Sequence, residues 1–549
     1  MAAPPGRADN VRVSGTDSTG AGSTAPEILL ASPGWASQGG THLWRPLRGQ
    51  GPIPSDLPAT APASRAGQWT LIERDGEDLR LTTDRPRSHH LLFTRLDGRW
   101  IVSDDPRFLH ERLPAGTWHR DRGAAEAFLH LGFTPGTSTL ISGVHATPAA
   151  STTLLRADGA WKSRTWEEYR FAPSPISDGE EYAEAFTGAM DAAVSRLLDA
   201  VGERQLVVPL SGGLDSRLLA AWLTRLGAGR IATFTYGKAD ARETAISRQV
   251  AGALGLPWFS VGLDPAEIAG AWAGRDGARF RASTWGATSL PHPQDWYALE
   301  RMRREGLVDG DAVFLPGHTI VGNMHDESLL SASPTRARVL SVIASHHAIL
   351  QGRPRVHRRL EELRAAVLGA ARELGVGAEL APRDAQRLIE WFNLRERQAK
   401  YINNSMKGYE AFGYDWALPM LDRELWDVWL RGSEGLTATR QWYAGFTTRV
   451  YAEATGRETA LFAPAPARLP ALPKRAILAG LRATRGDRAL SRYRSVRTML
   501  DHPMAFEAFS EPIPRLEQVS RMVLGASTLG LWTRLFLDGR WGPGLVPAD

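Results

Sequence analysis

The segment Leu206–Arg217, LVVPLSGGLDSR, concentrates the chemistry that this sequence displays. Its apolar start reads as a buried strand, and the run after Asp215 reads as a helix. Between them stand Ser211, Gly212 and Gly213. Glycines let a backbone approach an anion closely. A helix N-terminus just behind them offers free N–H groups and the positive end of its dipole. Ser211 and Ser216 add hydroxyl donors. Asp215 would repel a phosphate on its own, so its useful role is to hold a Mg²⁺ ion that neutralises the phosphates. No Gly-Lys-Ser/Thr follows, so this is not a Walker loop. The plain alternative is a Gly-rich turn capped by serine; the full SGGLDS after an apolar strand favours the phosphate reading.

The elements that must position this loop are legible around it. Residues 1–25 are rich in Gly, Ser, Thr, Ala and Pro and read as a flexible tail. From 26 to about 170 the pattern is short strands and turns. QWTLIERDGEDLRLTT, HHLLFTRLDGRWIVSDD and TTLLRADGAWKSRTW each carry an Asp-Gly turn between alternating strands. The run GAAEAFLHLGF interrupts them as a helix. FAPSPISD, residues 171–178, reads as a linker. From 179 to 549 the period becomes helical, and Asp178 with Glu181 suits a helix start. Strand IATFTYG and helix ARETAISRQVAGALGL follow the loop, so strands and helices alternate as in a parallel α/β sheet. Beyond about 330, amphipathic helices dominate.

Composition bounds the function. The chain has 549 residues, enough for about two to four domains. Its 65 Lys+Arg against 60 Asp+Glu leave +5, too diluted to argue for nucleic acid. It has no cysteine, which excludes disulfides, thiolate metal sites and a cysteine nucleophile, and fits a reducing compartment. No stretch approaches the ~20 apolar residues that span a bilayer. MAAPPGRADN lacks the pattern of a signal peptide. A cytoplasmic protein without a membrane span is expected.

Several segments carry a family resemblance. SGGLDS resembles the pyrophosphatase loop of asparagine-synthetase-like enzymes. FTYGKADARETAISRQVAGALGLPW resembles their second strand and helix, and GYDWALPMLDRELWDVWL resembles a later acidic segment, with Asp415 and Asp422 at its acidic positions. SDDPRFL and AAEAFLHLGFTPGTSTLISGVHATPA resemble the second half of a class II glutaminase domain. The resemblance covers roughly 65–475. It implies a glutaminase-like αββα N-terminal domain, then an α/β synthetase domain of the adenine-nucleotide α-hydrolase type with a helical C-terminal part. Working glutaminase domains start with a catalytic cysteine at residue two; here residue two is Ala2. The N-terminal domain is therefore expected to be vestigial.

Within that family, RERQAKYINNSMKGYEAFGYDWALPMLD and FLPGHTIVGNMH are similar to segments of lasso peptide cyclases. β-Lactam synthetases have Tyr where His318 stands. The resemblance implies ATP and Mg²⁺ as cofactors. Leu210, Ser211, Gly212, Gly213, Leu214, Asp215 and Ser216 would hold the phosphates, and Phe234, Thr235, Tyr236 and Gly317 would line the nucleotide. His318 would be the general base toward the attacking amine. Glu410 or Asp415 would orient it. Lys474 would stabilise the α-phosphate and the leaving pyrophosphate. Arg397 and Asn404 are candidates to hold substrate or phosphate, and Glu243 to touch metal or ribose. The loop lacks the acidic residue that follows PGH in the cyclases; Asp326 is the substitute metal ligand. A core peptide substrate is implied, with a leader protease and a leader-binding protein as partners. Two rival readings stay open: a small-molecule amide or β-lactam-type synthetase, and a non-catalytic nucleotide-binding partner protein.

Overall fold

A computed structural model describes residues 25–54, 62–322, 334–352, 360–457, 493, 496–497, 504–541 and 546–547. Its N-terminal part contains β1 (Glu27–Leu29), β2 (Trp35–Gln38), β3 (Thr41–Trp44), β4 (Thr70–Asp75), β5 (Asp78–Thr83), β6 (Leu92–Leu96), β7 (Arg99–Ser103), β8 (His145–Ala146), β9 (Ser151–Leu155) and β10 (Trp161–Thr165). The three Asp-Gly segments form the hairpins β4–β5, β6–β7 and β9–β10. In the second, Asp97 and Gly98 both have positive φ, 49° and 80°, the backbone that a tight two-residue hairpin turn requires.

These strands make a four-stranded sheet, β1-β7-β6-β8, and a six-stranded one, β10-β9-β5-β4-β3-β2. The sheets pack face to face. Ile28, Phe93 and Val102 from one meet Ile72, Leu81 and Leu155 from the other in a single apolar core. The helices Pro106–Arg112 and Arg122–Leu131 lie between β7 and β8 in sequence, the second started by Asp121.

The second part opens with the helix Gly179–Val201. Asp178 caps it by accepting from the backbone N–H of Glu180 at 2.9 Å and of Glu181 at 2.8 Å. Then come β11 (Leu206–Pro209), β12 (Ile231–Gly237), β13 (Trp258–Gly262), β14 (Val313–Phe314) and β15 (Asp415–Trp416). They form one parallel sheet in the order β13-β12-β11-β14-β15. The mixed α/β class is as the alternating pattern requires. The chain grows outward from β11 in both directions, so β11 and β14 flank a topological switch point. Ligands of open parallel sheets bind at the carboxyl ends of strands at such a point. Both motifs of interest, Ser211–Ser216 and Gly317–His318, leave the sheet there.

The two parts are joined by buried charges. Asp415 accepts from the backbone N–H of Arg48 at 2.7 Å and pairs with Arg48 Nε at 2.5 Å and with Arg204 at 2.8 Å. Asp422 accepts from the Gly67 N–H at 2.6 Å, pairs with Arg196 at 2.8 Å and caps the helix Arg423–Arg431. Large aromatics such as Trp222, Trp272, Trp416 and Trp532 are fully buried.

Candidate active site

The loop after β11 is held by its own side chains. The Leu210 N–H donates to Phe234 O at 2.7 Å, which ties the strand end to β12. Ser216 Oγ accepts from the Ser211 N–H at 3.2 Å and lies 3.2 Å from Ser211 Oγ. The Gly213 N–H donates to Ser211 Oγ at 3.1 Å. The helix Leu214–Arg225 then starts at Gly213 without any side-chain cap. Among the described residues no side chain caps its first turn, as an anion site needs.

Asp215 sits in the first turn of that helix. Its carboxylate is bonded by the Arg440 guanidinium, and the buried Tyr443 stands beside both. Burial raises the Asp215 pKa, and Arg440 and Tyr443 pull it back. Gly317 is pressed against the same helix start. A Cβ there would fall 2.6 Å from Ser216 N and 3.0 Å from Asp215 C, so only glycine fits. This contact fixes His318 next to the loop. Asp215, Gly317, His318, Asn393, Arg397 and Gln398 line one cavity of about 180 Å³. A cavity of about 210 Å³ lies elsewhere, at the seam between the parts, lined by Arg45, Arg65, Arg196 and Asp422.

His318 has a defined tautomer. Its Nδ1 lies 3.2 Å from Asn403 Oδ1. Asn403 Nδ2 donates to Pro86 O at 2.8 Å, and Gln398 Nε2 donates to Asn403 Oδ1 at 3.1 Å. The Asn403 oxygen is thus an acceptor on both counts, so Nδ1 carries the proton and Nε2 keeps a lone pair. Burial drives the His318 pKa down to about 4. At neutral pH the ring is uncharged and able to accept a proton.

The far wall of the cavity comes from an unusual helix. Pro382–Phe392 continues into a π-helical stretch, Asn393–Ile402, then a 3₁₀ turn, Asn403–Ser405. Wide π turns are rare and gather at functional sites. One face of it is anchored to the N-terminal part. Buried Lys400 donates to Thr134 O at 2.8 Å, Gly136 O at 2.6 Å and Glu396 Oε2 at 2.7 Å. Another face points Arg397 and Gln398 into the cavity. Arg397 has no carboxylate partner among the described residues, and burial lowers its pKa.

The sequence candidates thus divide. Asp215, Gly317, His318 and Arg397 converge on one cavity. Glu410 does not line it: its carboxylate accepts from Trp416 Nε1 at 3.0 Å and faces Lys407 at 3.8 Å. Asp415 is bound between Arg48 and Arg204 at the seam. Neither bonds His318, whose partner is Asn403. The neighbouring Asn404 turns away and donates to Thr284 O at 2.8 Å and Leu290 O at 3.2 Å. Glu243 is exposed in the first turn of the helix Arg242–Ala253. Phe234 is buried against Phe259, and the Tyr236 hydroxyl bonds Asp295. Beyond Leu210, β12 runs on through Thr235–Gly237 on the side that β11 has left, where a flat base can reach its edge. Lys474 and Asp326 lie outside the described residues. Two residues of the site carried no sequence signal: Asn403, one place from the asparagine that reads as the candidate, and Arg440, in the unremarkable run TATRQWY.

The donor set also bears on the metal. Among the described residues no three His, Asp or Glu side chains gather as a metal-binding group. A single carboxylate in a phosphate loop fits a Mg²⁺ ion that arrives with nucleotide phosphates and keeps its waters. Asp215 is the residue that would hold it.

A parallel sheet with a glycine-rich, serine-lined helix start at its switch point defines a nucleotide-binding α/β domain. The asparagine synthase family model matches residues 185–292, which span β11, the loop, β12 and β13. The match supports an asparagine-synthetase-like domain and an ATP-dependent, amide-forming ligase. No curated protein matches the chain.

Proposed function

We propose that this chain closes a macrolactam in a ribosomal peptide, as lasso peptide cyclases do. The carboxylate of an Asp or Glu side chain attacks the α-phosphorus of ATP, forming an acyl adenylate and releasing pyrophosphate. The peptide's N-terminal amine then attacks the acyl carbon, its proton leaves, and AMP departs with the C–O bond. One water is lost from the peptide overall. The observation that carries this reading is the shared cavity: Asp215 of the phosphate loop and the neutral, oriented His318 line the same space.

The roles assigned in this reading are these. The uncapped helix start and Ser211 receive phosphate oxygens. Mg²⁺ at Asp215 would supply positive charge to them. His318 accepts the amine proton on Nε2 while Asn403 holds Nδ1–H. Lys474 remains the proposed cation at the α-phosphate. The chain has no cysteine to serve as a glutaminase nucleophile, which leaves free ammonia, a small-molecule amine or the substrate's own amine as the nitrogen source; the macrolactam reading takes the last. A leader protease and a leader-binding protein would deliver the core peptide, and the setting would be cytoplasmic.

Incubation of the protein with ATP, Mg²⁺ and candidate core peptides tests this. The expected result is AMP, pyrophosphate and a peptide lighter by one water. If small amino-acid derivatives are cyclised and peptides are not, the enzyme is a small-molecule synthetase. If no acid substrate stimulates pyrophosphate exchange, the ligase reading falls.

A further inference from the structure

We propose that Arg440 is a phosphate-binding residue of this site and that it competes with a divalent cation for Asp215. The proposal rests on the ATP-dependent reading above and adds to it a residue that neither the family match nor the motifs point to.

Arg440 lies at the start of the helix Gln441–Thr455, which packs along the helix Leu214–Arg225. Its guanidinium bonds Asp215 in the first turn of the latter. The two side chains are only 27% and 26% exposed. Among the described residues, Arg440 is the one cation paired with any residue of Ser211–Ser216. The guanidinium carbon lies 5.1 Å over the Tyr443 ring, which sets its plane. Among the described residues, its buried Nε has no hydrogen-bond partner.

These facts fit a phosphate clamp better than a structural ion pair. A structural pair in a shielded place is expected to use the fork of the guanidinium in full, because a buried donor without an acceptor is costly. Here a donor is left uncommitted beside a loop built to receive phosphate oxygens. Planar, multi-donor recognition of phosphate is what arginine does best. Asp215 by itself opposes phosphate, and some cation must cover it. Arg440 covers it in this structure. A divalent cation could take the same oxygens only by displacing the guanidinium, since two cations at contact distance repel strongly. The displaced guanidinium is then within a side-chain swing of the phosphates that the cation brings.

Binding measurements on the full chain test this without any turnover. Wild type and R440Q are titrated with Mn²⁺ alone, followed by the electron paramagnetic resonance signal of free Mn²⁺. Both are then titrated with ATP and with adenosine in Mg²⁺ by calorimetry. R440Q is expected to bind Mn²⁺ at least about tenfold more tightly, because its carboxylate is no longer occupied. It should bind ATP about 10- to 100-fold more weakly, the loss of one charge-assisted hydrogen bond, while adenosine binding is unchanged. A double-mutant comparison guards against misfolding of the single variant. D215N should bind ATP more tightly than wild type in EDTA, because the guanidinium is freed. D215N/R440Q, which removes both partners together, should lose that gain. Unchanged ATP affinity in R440Q, or an undiminished gain in D215N/R440Q, overturns the proposal while leaving the nucleotide-binding reading intact. Absence of ATP binding in the wild type overturns both.

Discussion

For His318 as the proposed general base, burial trades basicity for availability: the ring is free to accept a proton but is a weak base, and Asn403 orients it. Burial holds its pKa near 4, so the ring is neutral at any working pH above that. Asn403 holds the proton on Nδ1, so Nε2 is the accepting atom. His318→Ala should leave adenylation intact, since that step depends on the loop and its cations. Exchange of labelled pyrophosphate into ATP should persist in the presence of substrate. Amide product should fall by ~10²–10⁴-fold, the usual cost of losing a general base. Asn403→Ala keeps the imidazole but not its tautomer, and should cost less. Exchange and product falling together in His318→Ala would mean that the residue serves binding or loop architecture instead.

At the scale of elements, Gly317, just past β14, presses against the first turn of the helix Leu214–Arg225. Its neighbours there are backbone atoms, which have no rotamer to change. Gly317→Ala should therefore push His318 away from the loop or shift the first turn of Leu214–Arg225. The expected result is a KM for ATP raised about tenfold, of the order of one lost hydrogen bond to a charged group, with little change in thermal midpoint. Gly212 makes a fair comparison. The nearest atoms that a Cβ there would meet belong to the Ile246 side chain, at 3.5 Å, an ordinary contact. Gly212→Ala should fold like the wild type. An unchanged KM for ATP in Gly317→Ala would show that the close approach does not position the site.

For the whole molecule, buried histidines set the response to acid. Burial lowers His318 to about 4, and lowers His292 and His347 to about 3, with the Arg397 charge acting on the last two. His42, His89, His90, His130 and His145 are also shifted down by burial. The unfolded chain takes a proton on each near pH 6.5. The folded chain does not, so unfolding binds protons throughout this window. For His318, His292 and His347 that contribution is complete above pH 6.5 and is lost as pH falls toward 4, at up to about 1.4 kcal/mol per pH unit for each of the three, and the other histidines act in the same direction. Asp84, raised to about 7 by burial, acts in the opposite sense and offsets about one of them. Glu73, Asp215, Asp295 and Asp427 are raised as well, yet among the described residues the eight lowered histidines outnumber these five carboxyls. The urea midpoint should thus fall steeply between pH 6.5 and 4.5. A midpoint that holds or rises over that range would contradict this balance.

Local rules settled much of this protein in the sequence itself. Asp-Gly turns placed three hairpins because few residues adopt positive φ without strain. Asp178 started a helix because its short carboxylate reaches the N–H groups of the first turn. The apolar run Leu206–Pro209 with Ser211–Ser216 announced a strand, a glycine-rich turn and a helix start because all three are written within a dozen residues. Tertiary structure decided the rest, since it depends on contacts between distant segments. Asp415 and Glu410 read as partners of His318, but Asp415 holds Arg48 and Arg204, and Glu410 holds Trp416. The π-helical stretch changed the phase of Arg397–Asn404, so that Asn403, and not Asn404, meets His318. No spacing rule reveals such a wide turn, because it is stabilised by Lys400 and Glu396 binding a segment some 260 residues away. Arg440 reaches Asp215 from 225 residues along the chain. Whether a charge serves a seam, a cavity or a carboxylate is fixed by what packs against it, and only the folded chain brings those groups together.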